Sequence, residues 1–495
     1  MKRTIPTRAW ISAGCVLLLG WQALAQETPP AQKESADENR QTTDTTPPQA
    51  PKTPTGPKYL NLRYDEDFSY LDDGPGTYRE NFFDPIKNLH FGDDWTLNLG
   101  GEFRIRLEAE TNKAFGANRR TQDTFVLHRY VLHADLKYGD VFRIFMQGIA
   151  AFDDDRNLAR RGIDENRWDL QQVFFDVKVL GAENPLTLRF GRQDLQYGKQ
   201  RFVSPLDWAN TRRRFDAIKL FSHGALWDID AFYAKPVAVQ RDQRDRFDEE
   251  YDFYGLYVTY KGIPGHGIDG FFFAQDRTAD RRNPNGRRGD ESRYTLGTRF
   301  WGGTAGFDYQ AMLAGQWGHW AGDTICAWAW TLDGGYTLAD VAWKPRIGMG
   351  IDWADGDGSP LDRKVGTFDQ LFPLGHAYLG YLDLIGRQNV NAARIDLSAW
   401  PVSEKANTTL AYHVFCLNEE RDALYNAGGG AGRRNPFGKS GKEIGQELDF
   451  TLLWKLDAHS SVLLGYSHFW DSNFITSTGP SDDPDLIYIQ YSYKF

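Results

Sequence analysis

Cysteine is scarce in this sequence, and long apolar runs are missing. Only 3 of the 495 residues are cysteine. Cys326 and Cys416 lie far apart and outside any C-x-x-C motif, so neither a disulfide framework nor a thiol redox site is indicated. No apolar stretch is long enough to cross a membrane as a helix. These shortages exclude a disulfide-rich scaffold and a helical membrane protein.

Basic charge is also in the minority, and catalytic motifs are lacking. The chain has 57 Lys and Arg against 67 Asp and Glu, a formal net charge of -10. An acidic total argues against a nucleic acid partner. No Ser–His–Asp order, zinc-ligand spacing or phosphate-binding loop stands out. We therefore expect no catalytic residues, and an enzyme is the least favoured class.

The first 58 residues predict an export signal followed by a spacer. A basic start, the short apolar core AWISAGCVLLLGW and a small-residue ALA are typical of a secretory signal at 1–25. A lipoprotein signal at Cys15 is disfavoured because most of the apolar run follows that residue. Residues 26–58 are rich in Pro, Thr, Gln and charge, without apolar periodicity, which predicts a disordered spacer.

From Trp95 onwards the dominant period of hydrophobicity is two. In GEFRIRLEAE, for example, Phe103 and Leu107 share one face while Glu102 and Arg106 share the other. The same alternation recurs in PLTLRFGRQ, QVFFDVKV, SRYTLGTRF, ARIDLSAW and GQELDFTL. Such alternation predicts β-strands with one apolar and one polar face.

A soluble sandwich would also alternate, but two features favour a transmembrane barrel. Aromatic residues cluster near strand ends, as in the final DLIYIQYSYKF, and the polar faces carry charge of both signs on strand after strand. Both features suit a wet interior and a lipid-facing exterior. We predict an all-β, antiparallel transmembrane barrel of about 18 strands over 59–495, surrounded by outer-membrane lipid. Its last strand would pair with the first, near Trp95–Glu108.

The connections between the predicted strands alternate in length. The short ones, with Gly, Asp, Asn or Ser, are 137–140, 181–184, 222–225 and 457–460. The long, charged ones are 152–170, 195–213, 236–250, 277–291, 354–389 and 417–443. This alternation predicts short periplasmic turns at one rim and long extracellular loops at the other.

Six segments, in order along the chain, resemble the alginate export family of bacterial outer-membrane proteins. They are YLNLRYDEDFSYL, DDWTLNLGGEFRIRLE, LTLRFGRQDLQYG, RRRFDAIKL, TFDQLFPLGHAYLGYLDLIGRQNV and GKEIGQELDF. The resemblance covers roughly 59–495. It implies an 18-stranded barrel in the cell outer membrane and passive passage, in the export direction, of an anionic polysaccharide such as alginate through an Arg-lined constriction.

The resemblance also implies partners and a gate. Periplasmic export machinery would be a partner, and the loop 354–389 would cover or enter the pore. The gating residues implied are Phe372, His376, Tyr378 and Asn389. A general or small-solute porin remains the alternative, because barrels of this family need not all carry alginate.

Arginine on the polar faces is the sharpest signal for a transport path, because a guanidinium facing lipid would be costly. The candidate path residues are Arg104, Arg106, Arg129, Arg189, Arg192, Arg293, Arg299, Arg394, Asp176, Glu447 and Asp449. Arg192 shares the phase of Phe190, so its place in the lumen requires the strand to end or bulge at Gly191. Two interpretations stay open: a wall that senses carboxylates, or a structural ladder of Arg–carboxylate pairs.

A calcium loop is a weak alternative in DWADGDGSP. Asp352, Asp355 and Asp357 lie close together there with glycine. The segment lacks the distal Glu of an EF-hand, and Asp-Gly pairs are ordinary turn chemistry. We therefore expect no cofactor.

Overall fold

The computed structural model describes residues 56–74, 76–117, 120–180, 185–359 and 361–495. The predicted signal 1–25, nearly all of the spacer 26–58 and the turn 181–184 lie outside the described residues.

Eighteen antiparallel strands form one closed barrel. They are β1 (Trp95–Thr111), β2 (Gln122–Tyr138), β3 (Phe142–Asp154), β4 (Asn166–Leu180), β5 (Leu186–Gln193), β6 (Phe215–His223), β7 (Trp227–Ala238), β8 (Tyr251–Ile263), β9 (His266–Arg282), β10 (Arg288–Thr304), β11 (Phe307–Trp320), β12 (Asp323–Thr337), β13 (Arg346–Ala354), β14 (Val390–Val402), β15 (Ala406–Leu417), β16 (Glu443–Lys455), β17 (Ser460–Asp471) and β18 (Asp485–Lys494). β1 pairs with β18 from Glu102↔Lys494 to Thr111↔Asp485. The predicted fold, strand number and closure are confirmed.

The remaining elements are short. The additional strands are Leu89–Phe91, Arg246–Phe247, Lys364–Val365, Ala423–Tyr425 and Ala431–Arg434, the 3-10 turns are Arg63–Asp65, Ser69–Asp73, Asp84–Ile86 and Ser403–Lys405, and the α-helix is Asn473–Thr478. Within the described ranges, no helix has the length and apolarity needed to cross a membrane.

Each barrel strand turns its two faces to different surroundings. On β1, Arg106 is buried inside while Leu107 is 42% exposed, and on β4, Phe174 is buried while Phe175 is exposed. Successive side chains of a strand point to opposite faces, so the period of two in the sequence sets this alternation. The apolar outer face is the one that lipid covers in such barrels.

The two rims carry connections of different length. Short turns at 139–141, 224–226, 264–265, 305–306, 403–405 and 456–459 lie at one rim, and long loops at 155–165, 194–214, 239–250, 355–389 and 418–442 lie at the other. By the usual arrangement, the first rim is periplasmic and the second extracellular.

One predicted connection differs from the structure, and two other connections depart from the predicted relation between length and rim. Most of 277–291 is strand, because β9 and β10 continue as a long hairpin, joined only by 283–287. The two-residue link 321–322 lies at the extracellular rim, whereas 338–345 is a longer periplasmic connection. The backbone hydrogen bonds of a hairpin do not depend on apolar side chains, so β9 and β10 stay paired through their polar ends, beyond the lipid-facing band.

Candidate transport path

Two long loops fold into the barrel and meet there. We call 194–214, between β5 and β6, loop 5–6, and 355–389, between β13 and β14, loop 13–14. Val203 forms a parallel bridge with Phe372, and the Phe372 amide donates to the carbonyl of Phe202 at 2.8 Å. Inward side chains such as Phe253 pack with both loops in one buried apolar cluster. The loops are therefore part of the barrel's core.

An aromatic contact joins the two loops. The indole of Trp208, on loop 5–6, stacks on the imidazole of His376, on loop 13–14, with ring centroids 4.0 Å apart. Arg106 covers the Trp208 ring at 3.9 Å, and Tyr488 of β18 meets it edge-on at 5.0 Å. This packing ties both loops to the strands that close the barrel.

The other predicted gating residues also lie in the interior. Phe372 packs edge-to-face against Phe215 and Phe253, at 5.0 and 4.9 Å. Tyr378 lies beneath the guanidinium of Arg201 at 3.8 Å. Asn389 accepts the amide of Glu419 through its side-chain oxygen at 2.7 Å. Loop 13–14 is thus held at its middle and at its end.

Most lumenal arginines are paired with carboxylates. The pairs are Arg129–Glu102 at 2.5 Å, Arg106–Glu108 at 2.7 Å, Arg189–Asp176 at 2.7 Å, Arg293–Glu291 at 2.7 Å, Arg299–Asp269 at 2.6 Å and Arg394–Asp396 at 3.1 Å. A buried charge needs such a partner because its desolvation is otherwise uncompensated. The wall is therefore built largely as a ladder of ion pairs.

Two arginines are held mainly by backbone oxygens. Arg104 donates to the carbonyls of Asp207 and Ala209 at 2.7 and 2.9 Å. Arg213 donates to the carbonyls of Ser204 and Pro373 at 3.1 and 3.3 Å. Burial lowers the pKa of Arg213 to about 10, which still leaves it charged at neutral pH. Carbonyl dipoles do not cancel a full charge, so these groups keep loop 5–6 electropositive.

Arg192 does not turn into the lumen, and the expected break at Gly191 does not occur. β5 continues to Gln193 without a register shift at this point. Arg192 keeps the phase of the exposed Phe190 and binds Asp216 through its Nε at 2.7 Å. The ion pair with Asp216 on the neighbouring strand compensates the cost of placing Arg192 on the outer face. The sequence of β5 alone does not contain this information.

The acidic path residues on β16 contact loop 13–14 and the neighbouring strand. Glu447 accepts the amide of Leu382 at 2.9 Å. Asp449 lies 3.2 Å from the imidazole of His413. Both carboxylates are buried. They contact a loop and a wall histidine instead of lining an open channel.

Several arginines of the inner loops, which were not among the candidate path residues, bind carboxylates of the wall or of loops. Arg201 and Arg387 both reach Asp352, at 2.9 and 2.8 Å. Arg212 binds Asp194 at 2.7 Å, and Arg214 binds Asp245. The run of three arginines at 212–214 is the feature of the sequence that marks this cluster.

Asp352, Asp355 and Asp357, the weak calcium candidate, do not converge on a common point. The carboxylate of Asp352 is held by two guanidinium groups, while Asp355 and Asp357 accept backbone amides of Trp328 and Ser359. In the described part of the chain, no group of three or more His, Cys, Asp or Glu side chains is placed to hold a metal ion. These aspartates act as loop supports.

Small cavities lie between the loops and the wall. The first has a volume of about 20 Å³ and is lined by Tyr197, Gly198, Lys199, Arg201, Phe202, Val203, Tyr257, Phe271, Phe273, Arg299 and Met312. The second, of about 30 Å³, lies near the extracellular ends of β1 and β18 and is lined by residues of both charge signs, with Trp208 and Tyr381. The first lining contains three cationic side chains and no Asp or Glu among the described residues.

Comparisons with known proteins agree with this architecture. The family model for alginate export matches residues 95–488, and no curated protein matches. Solved structures with the same fold include OccK8 (OprE) of Pseudomonas aeruginosa, with a TM-score of 0.55 and 12% identity over 81% of this chain and 98% of that one. OccAB1 of Acinetobacter baumannii gives 0.54 and 13%, over 80% and 97%, and OccD3 (OpdP) of P. aeruginosa gives 0.53 and 12%, over 80% and 91%.

The family match and the architecture lead to the same assignment. The matched residues run from the start of β1 into the first part of β18 and so reach all eighteen strands of the barrel. A closed barrel with an apolar exterior and a charged interior is built to let polar solutes cross a lipid layer. This chain belongs to the alginate export family and is an outer-membrane channel.

Proposed function

We propose that this channel passes an anionic polysaccharide, such as alginate, passively and in the export direction. The observation that carries the proposal is the cavity lined by Lys199, Arg201 and Arg299 together with aromatic rings. A uronate unit offers a carboxylate for guanidinium groups. Membership of the alginate export family supports the same cargo.

Weak, repeated contacts suit a polymer that must enter and leave. Arg201 already binds the carboxylates of Asp352 and Asp333, and Arg299 binds Asp269. A uronate carboxylate would compete with these aspartates for the guanidinium groups. This competition keeps each contact with the polymer weak. Periplasmic machinery would deliver the polymer, since passive passage needs a supply on one side.

Movement of the two inner loops is part of this proposal. The cavities beside the loops, with volumes of about 20 and 30 Å³, have room for water molecules but not for a sugar unit, so the polymer path requires the loops to move. Loop 13–14 contacts loop 5–6 through the Val203–Phe372 bridge, the Trp208–His376 stack and hydrogen bonds such as that of the Leu374 amide to the Gln200 carbonyl at 2.9 Å. Withdrawal of loop 13–14 would break these contacts while leaving the strands paired.

A test is block of single-channel current by short oligouronates compared with neutral oligosaccharides of equal length. The proposal expects the oligouronates to block at lower concentration, and replacement of Arg299 by Gln to reduce the difference. Equal block by both sugars would overturn an anionic cargo.

A small-solute porin is the second candidate, and one observation favours it. Loops 5–6 and 13–14 fold into the lumen and pack against its inward side chains, which narrows the path to a width that suits small solutes. Liposomes containing the protein distinguish the candidates: swelling in amino acids or monosaccharides, without binding of oligouronates, would assign the chain to small solutes.

A further inference from the structure

A segment ahead of the first strand enters the barrel from the periplasmic rim. We call residues 59–68 the N-terminal segment. Arg63, Tyr64, Glu66 and Phe68 are all buried in it, although the segment has no strand and only one 3-10 turn, Arg63–Asp65. Buried polar groups outside regular structure require specific partners, because an unpaired one is costly.

The wall of the barrel supplies part of those partners. Arg63 donates to the carbonyls of Gly101 and Phe495, at 3.2 and 3.0 Å, and pairs with Glu66 at 2.6 Å. These contacts fasten the N-terminal segment to the seam between the first and last strands.

Tyr64 reaches across to a different part of the wall. Its ring meets Phe145 and Phe174 edge-on, at 5.7 and 5.2 Å, and the guanidinium of Arg189 lies 4.4 Å from its centroid. Phe145 and Phe174 are inward residues of β3 and β4. The N-terminal segment therefore spans part of the lumen instead of following one strand.

The same segment also binds loop 5–6. Asn61 donates to the side chain of Gln196 at 2.9 Å, and Arg212 donates to the side-chain oxygen of Asn61 at 3.1 Å. Arg212 in turn holds Asp194 at 2.7 Å. A change at the periplasmic end can reach loop 5–6 through these bonds, because the groups are in direct contact.

We infer that the N-terminal segment is a periplasmic plug, which keeps loop 5–6 in its inward position and must withdraw before the channel conducts fully. Its attachments to wall and loop are hydrogen bonds to carbonyls and amides, plus aromatic edge contacts. Water can replace such hydrogen bonds at modest net cost, so the plug can leave without unfolding the barrel. The inference depends on the chain being a channel and not on its cargo.

The first test weakens the plug. Arg63→Ala combined with Tyr64→Ala should raise the open probability in planar bilayers by about tenfold or more, since each lost charge-assisted or aromatic contact shifts the closed–open equilibrium. Asp67→Asn, at an exposed position of the same segment, is the matched control and should leave the current unchanged. Heat-modifiable migration in gels shows whether each variant still forms the barrel.

The second test locks the plug. Asn61→Cys and Gln196→Cys, made in a chain with Cys326→Ala and Cys416→Ala, place two thiols at positions whose native side chains are hydrogen-bonded to each other. The oxidised protein should conduct less than the same protein after reduction. Equal current in the oxidised and reduced states, with the disulfide confirmed by mass spectrometry, would overturn the plug. That result would not bear on the proposed cargo, which is tested separately by oligouronate block.

Discussion

Trp208 and His376 stack at 4.0 Å between ring centroids, and this contact joins the two loops that fill the barrel. Neither residue belongs to a strand. Because the strands pair without them, the contact can break while the barrel stays closed. The position of the loops can therefore change independently of the fold.

Breaking this stack should favour the conducting state. We expect Trp208→Ala and His376→Ala each to raise the open probability about five- to tenfold, since an aromatic pair contributes about 1 kcal/mol. Single-channel recording measures the change. Trp168→Ala, which removes an exposed ring on β4, is the control. If the free-energy change in the double variant equals the sum of the changes in the two single variants, the rings do not act as a pair.

Acidity should favour the inward position of loop 13–14. Burial raises the pKa of both Asp355 and Asp357 to about 6, and Glu419 adds to the effect at Asp355. Between about pH 4 and 6, the two carboxyl groups are protonated in the docked loop but ionised in a solvated loop, where their pKa values are ordinary. Docking is therefore strengthened as the pH falls through about 6 and weakened as it rises.

Conductance recorded at several pH values checks this expectation. Current should rise between about pH 5 and pH 8. Asp355→Asn with Asp357→Asn should flatten the profile, because neither amide titrates. A wild-type current that falls with rising pH over this range would contradict the assignment.

The ion pair between Arg129 and Glu102 should contribute strongly to barrel stability. Arg129 is 1% exposed and also contacts Asp207 at 2.9 Å. Arg129→Met leaves the buried carboxylate of Glu102 without its main partner, although Asp207 keeps Arg212 at 2.5 Å, and should cost about 3 kcal/mol in the free energy of unfolding. Urea titration of the lipid-embedded protein measures it.

The exposed pair Arg288–Asp280 at 3.0 Å provides the control for this measurement. Arg288→Met should change the free energy of unfolding by less than about 1 kcal/mol, because solvent screens the pair. Similar losses in both variants would show that burial does not determine the contribution of these pairs.

Closure of the barrel should depend on Phe495. Its amide donates to Gly101 at 3.0 Å, its carbonyl accepts the Gly101 amide at 2.9 Å, and its ring stacks on Phe83 at 4.9 Å. Deleting Phe495 should reduce the heat-modifiable fraction in the outer membrane. Phe437→Ser, in an exposed loop, should not. Normal assembly of the deletion variant would refute this role.

The sequence predicted the strands of the barrel wall well. It predicted the loops and the N-terminal segment inside the barrel poorly. Alternation such as Arg106 against Leu107 is a local property of a strand, so it can be read without knowing the partner strand. The place of Arg192 could not be read in this way, because it depends on Asp216 of the neighbouring strand.

The interior depends on contacts between residues far apart in the chain. Arg201 and Arg387 meet at Asp352 only because two loops fold inward, and Tyr64 fits between Phe145 and Phe174 only once the wall exists. No periodicity marks such contacts. The resemblance to a family pointed to loop 13–14 as the gate. It also covered the N-terminal segment and the two ends of loop 5–6, but it implied no position in the lumen for either.

The most direct test of the proposed transport role is the reversal potential of the open channel in a salt gradient. Arg104 and Arg213, bound mainly by backbone carbonyls, should make the path prefer anions, and Arg104→Gln with Arg213→Gln should lower that preference. Arg192→Gln, on the outer phase of β5, should leave it unchanged. Cation preference in the unmutated channel would contradict an anionic polysaccharide as cargo.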